Sequence, residues 1–214
     1  MLEERSIRLI PKEFRLAHRF SFFLHDLLAE VVIHGENSGV FDCRFGLRSA
    51  RDKRDFQRLS NDQLFEWMHE RGYRKELCDI LCRQSVVALL SDFCHYVYDS
   101  LRASEKGKLA VCLTLLRKPF KDNLFYLEWL LADLEGYTQV FLWGGAEKLD
   151  RSRLSVEERK QIIKQAGTQV PYPEWLDSDL AYDIRYDRTF EYGLAGLCDQ
   201  AVHLVTTNPQ IRTE

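Results

Sequence analysis

Apolar residues recur every three or four positions over four long stretches of the chain, which is the period of one helix face. The most regular stretch runs from Leu109 to Leu134. Its stripe consists of Leu109, Leu113, Leu116, Phe120, Leu124, Leu127, Leu131 and Leu134. After Leu124 the other faces are apolar as well, so further helices are expected to surround this segment. The pattern predicts a central core helix.

The same period predicts a long helix over 14–33, another over 74–101 and a last one over 188–206. The first of these carries its apolar residues on one stripe: Ala17, Phe20, Leu24, Leu27, Leu28 and Val31. A short helix is expected at 61–71, and Ser155 with Glu158 forms a capping box that opens a helix ending near Ala166. Pro119 interrupts the central helix without shifting its apolar phase, which indicates a kink or a second segment that begins at the proline.

No repeat, low-complexity stretch or strand-like alternation accompanies these helices. We therefore predict an all-α fold, a helical bundle of about six to seven helices around a long central helix kinked at the proline. The 214 residues can bury most of their apolar surface in one core, so a single helical domain over 1–214 is expected. A subdivision, if there is one, falls near 144–172, and the chain is compatible with being the N-terminal part of a longer protein.

The chain carries 30 Lys and Arg against 33 Asp and Glu, a net charge of −3. This balance lacks the basic excess of proteins that bind nucleic acid or anionic membranes over a broad surface. The charged start has no secretory signal, and charges break the later apolar runs before they reach membrane-spanning length. Six scattered cysteines are expected to be reduced thiols. We expect a cytoplasmic protein with no membrane contact and no cofactor.

The segment 44–58 is locally basic and is the place where a nucleic acid would bind. Its candidate phosphate contacts are Arg48, Arg51, Arg54 and Arg58. Asp52 and Asp55 are interleaved with them, which favours a solvated helix or loop over a nucleic-acid site.

Two acid–histidine pairs, Glu66 with His69 and Asp92 with His95, have the i, i+3 spacing of di-iron ligands. On their own helices they point away from the apolar stripes, whereas such ligands must face the bundle interior. No metal site is therefore predicted.

Four charged residues lie on one flank of the central helix: Arg117, Lys121, Glu128 and Glu135. They indicate either a buried site in which Glu128 acts as an acid or base, or an internal ion-pair network that fixes helix packing. The network is favoured because no second catalytic group can be identified. Arg117 and Lys121 are too far along the helix to reach Glu128, so we expect its cationic partner on a neighbouring helix.

Arg19 and His25 are separated by five residues, which matches the Arg and His spacing of HEPN ribonucleases, where both side chains act on the scissile phosphate. On an uninterrupted helix the two side chains lie about 120° apart, which favours a polar-face arginine and a boundary histidine. Phe20 also stands where the family usually has a polar residue after the arginine.

The stretch 110–133, AVCLTLLRKPFKDNLFYLEWLLAD, resembles a central helix of uncharacterised bacterial all-helical proteins grouped with the HEPN-like families. The end of the chain, 192–214 with CDQAVHLVTTNPQIRTE, resembles their closing helix and its histidine. The resemblance implies a bundle that pairs with itself and an association with RNA cleavage, phage defence or stress systems.

We therefore expect a non-catalytic or diverged HEPN-like interaction domain that forms a homodimer. Two alternatives stay open: a metal-independent ribonuclease that uses Arg19 and His25, and a nucleic-acid binder with RNA as its partner through 44–58.

Overall fold

A computed structural model describes residues 7–60, 63–191 and 193–202, and all regular structure in these residues is helical, which confirms the all-α prediction. The α-helices are α1 (Arg15–Asn37), α2 (Ala50–Phe56), α3 (Leu64–Glu70), α4 (Arg74–Glu105), α5 (Leu109–Lys118), α6 (Leu124–Ala132), α7 (Leu134–Trp143), α8 (Ala146–Leu149), α9 (Val156–Gly167), α10 (Ser178–Tyr186) and α11 (Leu194–Val202). None of the described helices is both long and apolar enough to cross a membrane.

The expected count of six to seven helices is not confirmed, because short helices such as α2, α3 and α8 occur between the longer ones. The predicted helix over 188–206 begins at Leu194, and residues 203–206 lie outside the described part of the chain. The capping box of α9 is present as predicted. Ser155 N donates to Glu158 Oε2 at 2.7 Å, and Glu158 N donates to Ser155 Oγ at 3.1 Å.

The predicted central helix is divided by a π-helical turn, Pro119–Asn123, which joins α5 to α6. Proline has no N–H, and its ring clashes with the carbonyl four residues earlier, so a regular α-helical register cannot continue through Pro119. The wider turn absorbs this defect, and Leu124 N donates to the carbonyl of Pro119, five residues back. Pro119 is buried, so the turn lies inside the fold.

The longest helix, α4, packs against α1, α3, α5, α6, α7 and the π-helical turn. Helix α5 also contacts α11, and α6 contacts α9. Among the described helices, α4 therefore packs against the most elements, and a central position for the segment 109–134 stays a prediction.

The buried face of α6 is not the one that the leucine stripe indicated. Phe125, Trp129 and Leu130 are buried and pack with Leu81 and Tyr137 in one core cluster. The stripe itself, Leu124, Leu127 and Leu131, lines a cavity on the opposite side. Because α6 is apolar on almost every face, its periodicity could not distinguish the packed face from the cavity face.

Candidate functional site on the first helix

Helix α1 packs on α4 through an aromatic and histidine-rich face. His18 Nε2 lies 3.0 Å from Ser104 Oγ. The Phe22 ring meets the Tyr98 ring edge-on at 6.0 Å between centroids, and the His25 ring lies 5.5 Å from the same tyrosine. Rings and hydroxyls of α4 thus match the polar-aromatic face of α1, and this face is the inner one.

The opposite face of α1 is apolar and exposed. Its members and their exposed fractions are Leu16 80%, Phe20 56%, Phe23 54%, Leu24 49%, Leu27 48% and Val31 61%. At 100° per residue these six side chains fall within about 100° of one another. We call them the α1 apolar face. Four members of the apolar stripe that the sequence predicts, Phe20, Leu24, Leu27 and Val31, are therefore exposed on this face.

The area of the α1 apolar face is large for a surface that stays in water. With about 200 Å² for a large apolar residue, the exposed fractions leave roughly 700 Å² on the six side chains. The largest apolar patch of a typical monomer is about 300–600 Å², and a stable interface buries about 800 Å² per partner. The α1 apolar face therefore has the size of an interaction surface.

Charges of opposite sign lie along one edge of this face. Arg19, Asp26 and Glu30 project within about 40° of one another, on the side of Phe23. All three are exposed. The cation lies toward the N-terminal half of the face and the two acids toward its C-terminal half. The edge is therefore complementary to itself when two copies run in opposite directions.

Arg19 and His25 have different direct contacts at the packing of α1 on α4. Arg19 lines a polar cleft with His18, and His25 is not part of the lining of that cleft. His25 Nδ1 lies 2.8 Å from Asp26 Oδ1, and its ring contacts Tyr98. Asp26 and Tyr98 also line the cleft of Arg19, so the two candidate catalytic residues have neighbours in common.

The arginines of the basic segment differ in their contacts. Arg48 donates to both carboxylate oxygens of Glu76, at 3.0 and 3.2 Å, and stacks 4.1 Å from the centroid of the Tyr73 ring. Arg51 Nε lies 3.8 Å from Asp55 Oδ2. The other two candidate phosphate contacts, Arg54 and Arg58, are exposed.

The four charges predicted on one ridge do not form one network. Arg117 and Glu135 are exposed. Lys121 is buried 3.7 Å from Asp199 of α11, and burial lowers the pKa of its ammonium group. Asp133 ends α6 and caps α7, so Glu135 lies on a separate helix and leaves the ridge.

The expected partner of Glu128 on another helix is Arg185 of α10, which donates from Nη1 and Nη2 to the two carboxylate oxygens at 2.9 and 2.8 Å. No signal in the sequence identifies this arginine as the partner. It lies 57 residues away, and no local spacing connects the two.

All six cysteines are free thiols. Within the described ranges, no group of three or more His, Cys, Asp or Glu side chains is arranged to hold a metal ion. Comparison of the chain with protein-family models, with curated proteins and with solved structures gave no match in any of the three.

Proposed function

We propose that the protein is a non-catalytic helical interaction domain that forms a homodimer through the α1 apolar face. The supporting observation is the exposure of six large apolar side chains, each between 48% and 80%, in one continuous stripe. A stripe about 100° wide is typical of a helix whose face is buried against another helix. No segment of the described chain covers it, so a second copy is the occupant we propose.

The charged edge of the face favours an antiparallel pair. A two-fold axis between Phe23 and Leu24 sets Phe20 opposite Leu27 of the second copy. At 1.5 Å per residue, Arg19 then lies about 3 Å along the axis from both Asp26 and Glu30 of the second copy. A parallel pair would set this charged edge against the uncharged edge formed by Ala17 and Leu28. Charge complementarity therefore selects the antiparallel arrangement.

The wider setting of this proposal comes from the HEPN-like resemblance. By this resemblance, the protein is a cytoplasmic bacterial protein of a phage-defence or stress system. It has the HEPN-like fold, and its function is to form a dimer. A ribonuclease that uses Arg19 and His25 stays the alternative function, and the RNA test below decides it. The experiments below also test whether the protein binds RNA.

Two matched substitutions test the interface. Leu27 and Val111 both lie in helices and are both 48% exposed, but only Leu27 belongs to the α1 apolar face. Leu27→Glu buries two unpaired charges in the proposed symmetric dimer, one from each copy, at a cost of about 3 kcal/mol for each, so the dimer dissociation constant should rise by more than about 100-fold. Val111→Glu should leave the dissociation constant unchanged.

Sedimentation equilibrium at micromolar concentration measures both constants, and circular dichroism checks that both variants keep their helices. A strictly monomeric parent protein contradicts the proposal, as does a Leu27→Glu variant that dimerises like the parent.

An assay with labelled RNA distinguishes the two alternative functions. Cleavage that His25→Ala abolishes would favour the ribonuclease, and salt-sensitive binding lost in Arg54→Ala would favour the nucleic-acid binder.

A further inference from the structure

A second feature, remote from the α1 apolar face, is a cavity of about 430 Å³ bounded by α6, α9 and α10. This volume lies within the range of small-molecule sites, about 300–1,000 Å³. Phe120 of the π-helical turn, Leu127 and Leu131 of α6, Ile163 of α9 and Leu176 contribute to its wall. Leu131 and Leu176 are 49% and 43% exposed, so the cavity is accessible from solvent.

The wall combines an apolar lining with one charged pair. All fourteen lining residues are apolar or glycine except Glu128 and Arg185. The Arg185 side chain is only 4% exposed and that of Glu128 is 16% exposed. A few polar groups in an otherwise apolar cavity are characteristic of a site that binds and orients an amphipathic molecule.

Arg185, which belongs to the lining of the cavity, retains hydrogen-bonding capacity. Its Nε donates to the carbonyl of Ala181 at 2.9 Å, and Nη1 and Nη2 each donate one bond to Glu128. A guanidinium group has five N–H donors, so one N–H on each terminal nitrogen is left for a further acceptor. Among the described residues, no acceptor bonds to either of them.

The charge of the site limits the ligand. Glu128 already neutralises Arg185, and no other charged residue lines the cavity. A charged head group would therefore be buried without a counter-ion, which is costly, whereas an uncharged oxygen acceptor would only add a hydrogen bond to the guanidinium.

We propose that this cavity binds an uncharged aliphatic molecule whose single oxygen-containing head group accepts a hydrogen bond from Arg185. The cavity is about three times the 150 Å³ of an engineered apolar cavity that binds benzene, so it has room for a chain of about ten carbons. The proposal is independent of dimerisation, because the cavity shares no residue with the α1 apolar face.

The test uses the full chain and three probes that differ only in the head group: 1-decanol, decanoate and decylammonium. Isothermal titration at neutral pH should show saturable binding of one decanol per chain, with an affinity at least tenfold higher than for either ion. Tighter binding of decanoate would overturn the proposal in favour of an anion site at Arg185. No saturable decanol binding would overturn it altogether.

Matched tryptophan substitutions locate the binding site. Leu127→Trp fills the cavity and should lower decanol affinity at least tenfold. Val111→Trp places the same ring outside the cavity lining and should not change it. Equal affinities in the two variants would show that decanol binds elsewhere.

A third variant tests the charge argument without blocking the cavity. Glu128→Gln keeps the shape of the side chain but leaves Arg185 unneutralised, so the preference should change from decanol to decanoate. A Glu128→Gln variant that keeps the decanol preference would contradict the proposed role of the ion pair.

Discussion

Removal of Glu128 should destabilise the protein strongly, because it leaves the guanidinium of Arg185 buried without a counter-ion. The Arg185 side chain is 4% exposed and makes two bonds of 2.8 and 2.9 Å to the carboxylate. Breaking a buried pair from one side costs about 3–5 kcal/mol. We expect the lower end, about 3 kcal/mol, for Glu128→Leu, because Glu128 lies beside a solvent-accessible cavity that lets water reach the remaining charge.

The opposite change, Arg185→Leu, should cost less. Burial raises the pKa of Glu128, although Arg185 opposes this, so without the arginine the carboxyl group can take up a proton and avoid a buried charge. The double variant Glu128→Leu with Arg185→Leu leaves no charge behind and should regain most of the lost stability.

Thermal and urea unfolding of the four proteins measures these differences. For a chain of this size, about 3 kcal/mol corresponds to a fall in Tm of roughly 6–12 °C. The coupling free energy from the double-mutant cycle should be close to the loss in Glu128→Leu. A loss below about 0.5 kcal/mol in Glu128→Leu would refute the reasoning, since that is the effect of an ordinary surface substitution.

Three further predictions concern the charged edge of α1, a buried acid and a helix cap. Arg19→Glu should weaken the dimer about tenfold in sedimentation equilibrium, because both copies of Arg19 lose exposed pairings with Asp26 and Glu30 of the other chain. Adding Glu30→Arg should restore part of the affinity, and no recovery would argue against the antiparallel pair. The hydrogen bond from Ser49 lowers the pKa of Asp52 in the folded protein. Ionised Asp52 therefore stabilises the fold at any pH above the ordinary pKa of an aspartate, and this stabilisation is lost as the pH falls through the lowered pKa of the folded state. Asp52→Asn should therefore flatten the acid limb of the urea midpoint plotted against pH, and an unchanged limb would contradict this. Ser155→Ala removes the cap of α9 and should cost about 1 kcal/mol in urea unfolding, whereas Ser155→Asp keeps an N-cap oxygen and should cost little.

Helix positions were predictable from the sequence because the 3.6-residue period is a local property. The sequence did not predict which face of each helix packs against the rest of the chain. In α1 the stripe that includes Phe20 and Leu27 predicts burial, but the period does not say whether the covering surface belongs to the same chain or to another. The inner face, with His18 and Phe22, is more polar than the stripe, so the period alone does not indicate that it packs on α4.

The sequence predicts that Glu128 has a buried cationic partner, but it does not identify the partner. The apolar neighbours of Glu128 on α6 indicate that it needs a buried cation, and this follows from the cost of burying a lone charge. Which cation it is depends on how α10 packs on the bundle, a long-range contact that local spacing does not encode. Arg117 and Lys121 are the nearby cations in the sequence, but both are too far along the helix to form an ion pair with Glu128.

Disulfide trapping of α1 against α1 tests the central claim most directly. Chains with Phe20→Cys and chains with Leu27→Cys are mixed, oxidised and digested, and the cross-linked peptides are identified by mass spectrometry. The antiparallel dimer predicts cross-links between positions 20 and 27 of different chains, and few between identical positions, which lie about 10 Å apart along the axis. Cross-links mainly between identical positions would contradict the antiparallel arrangement. Absence of cross-links at both positions would contradict the α1 dimer.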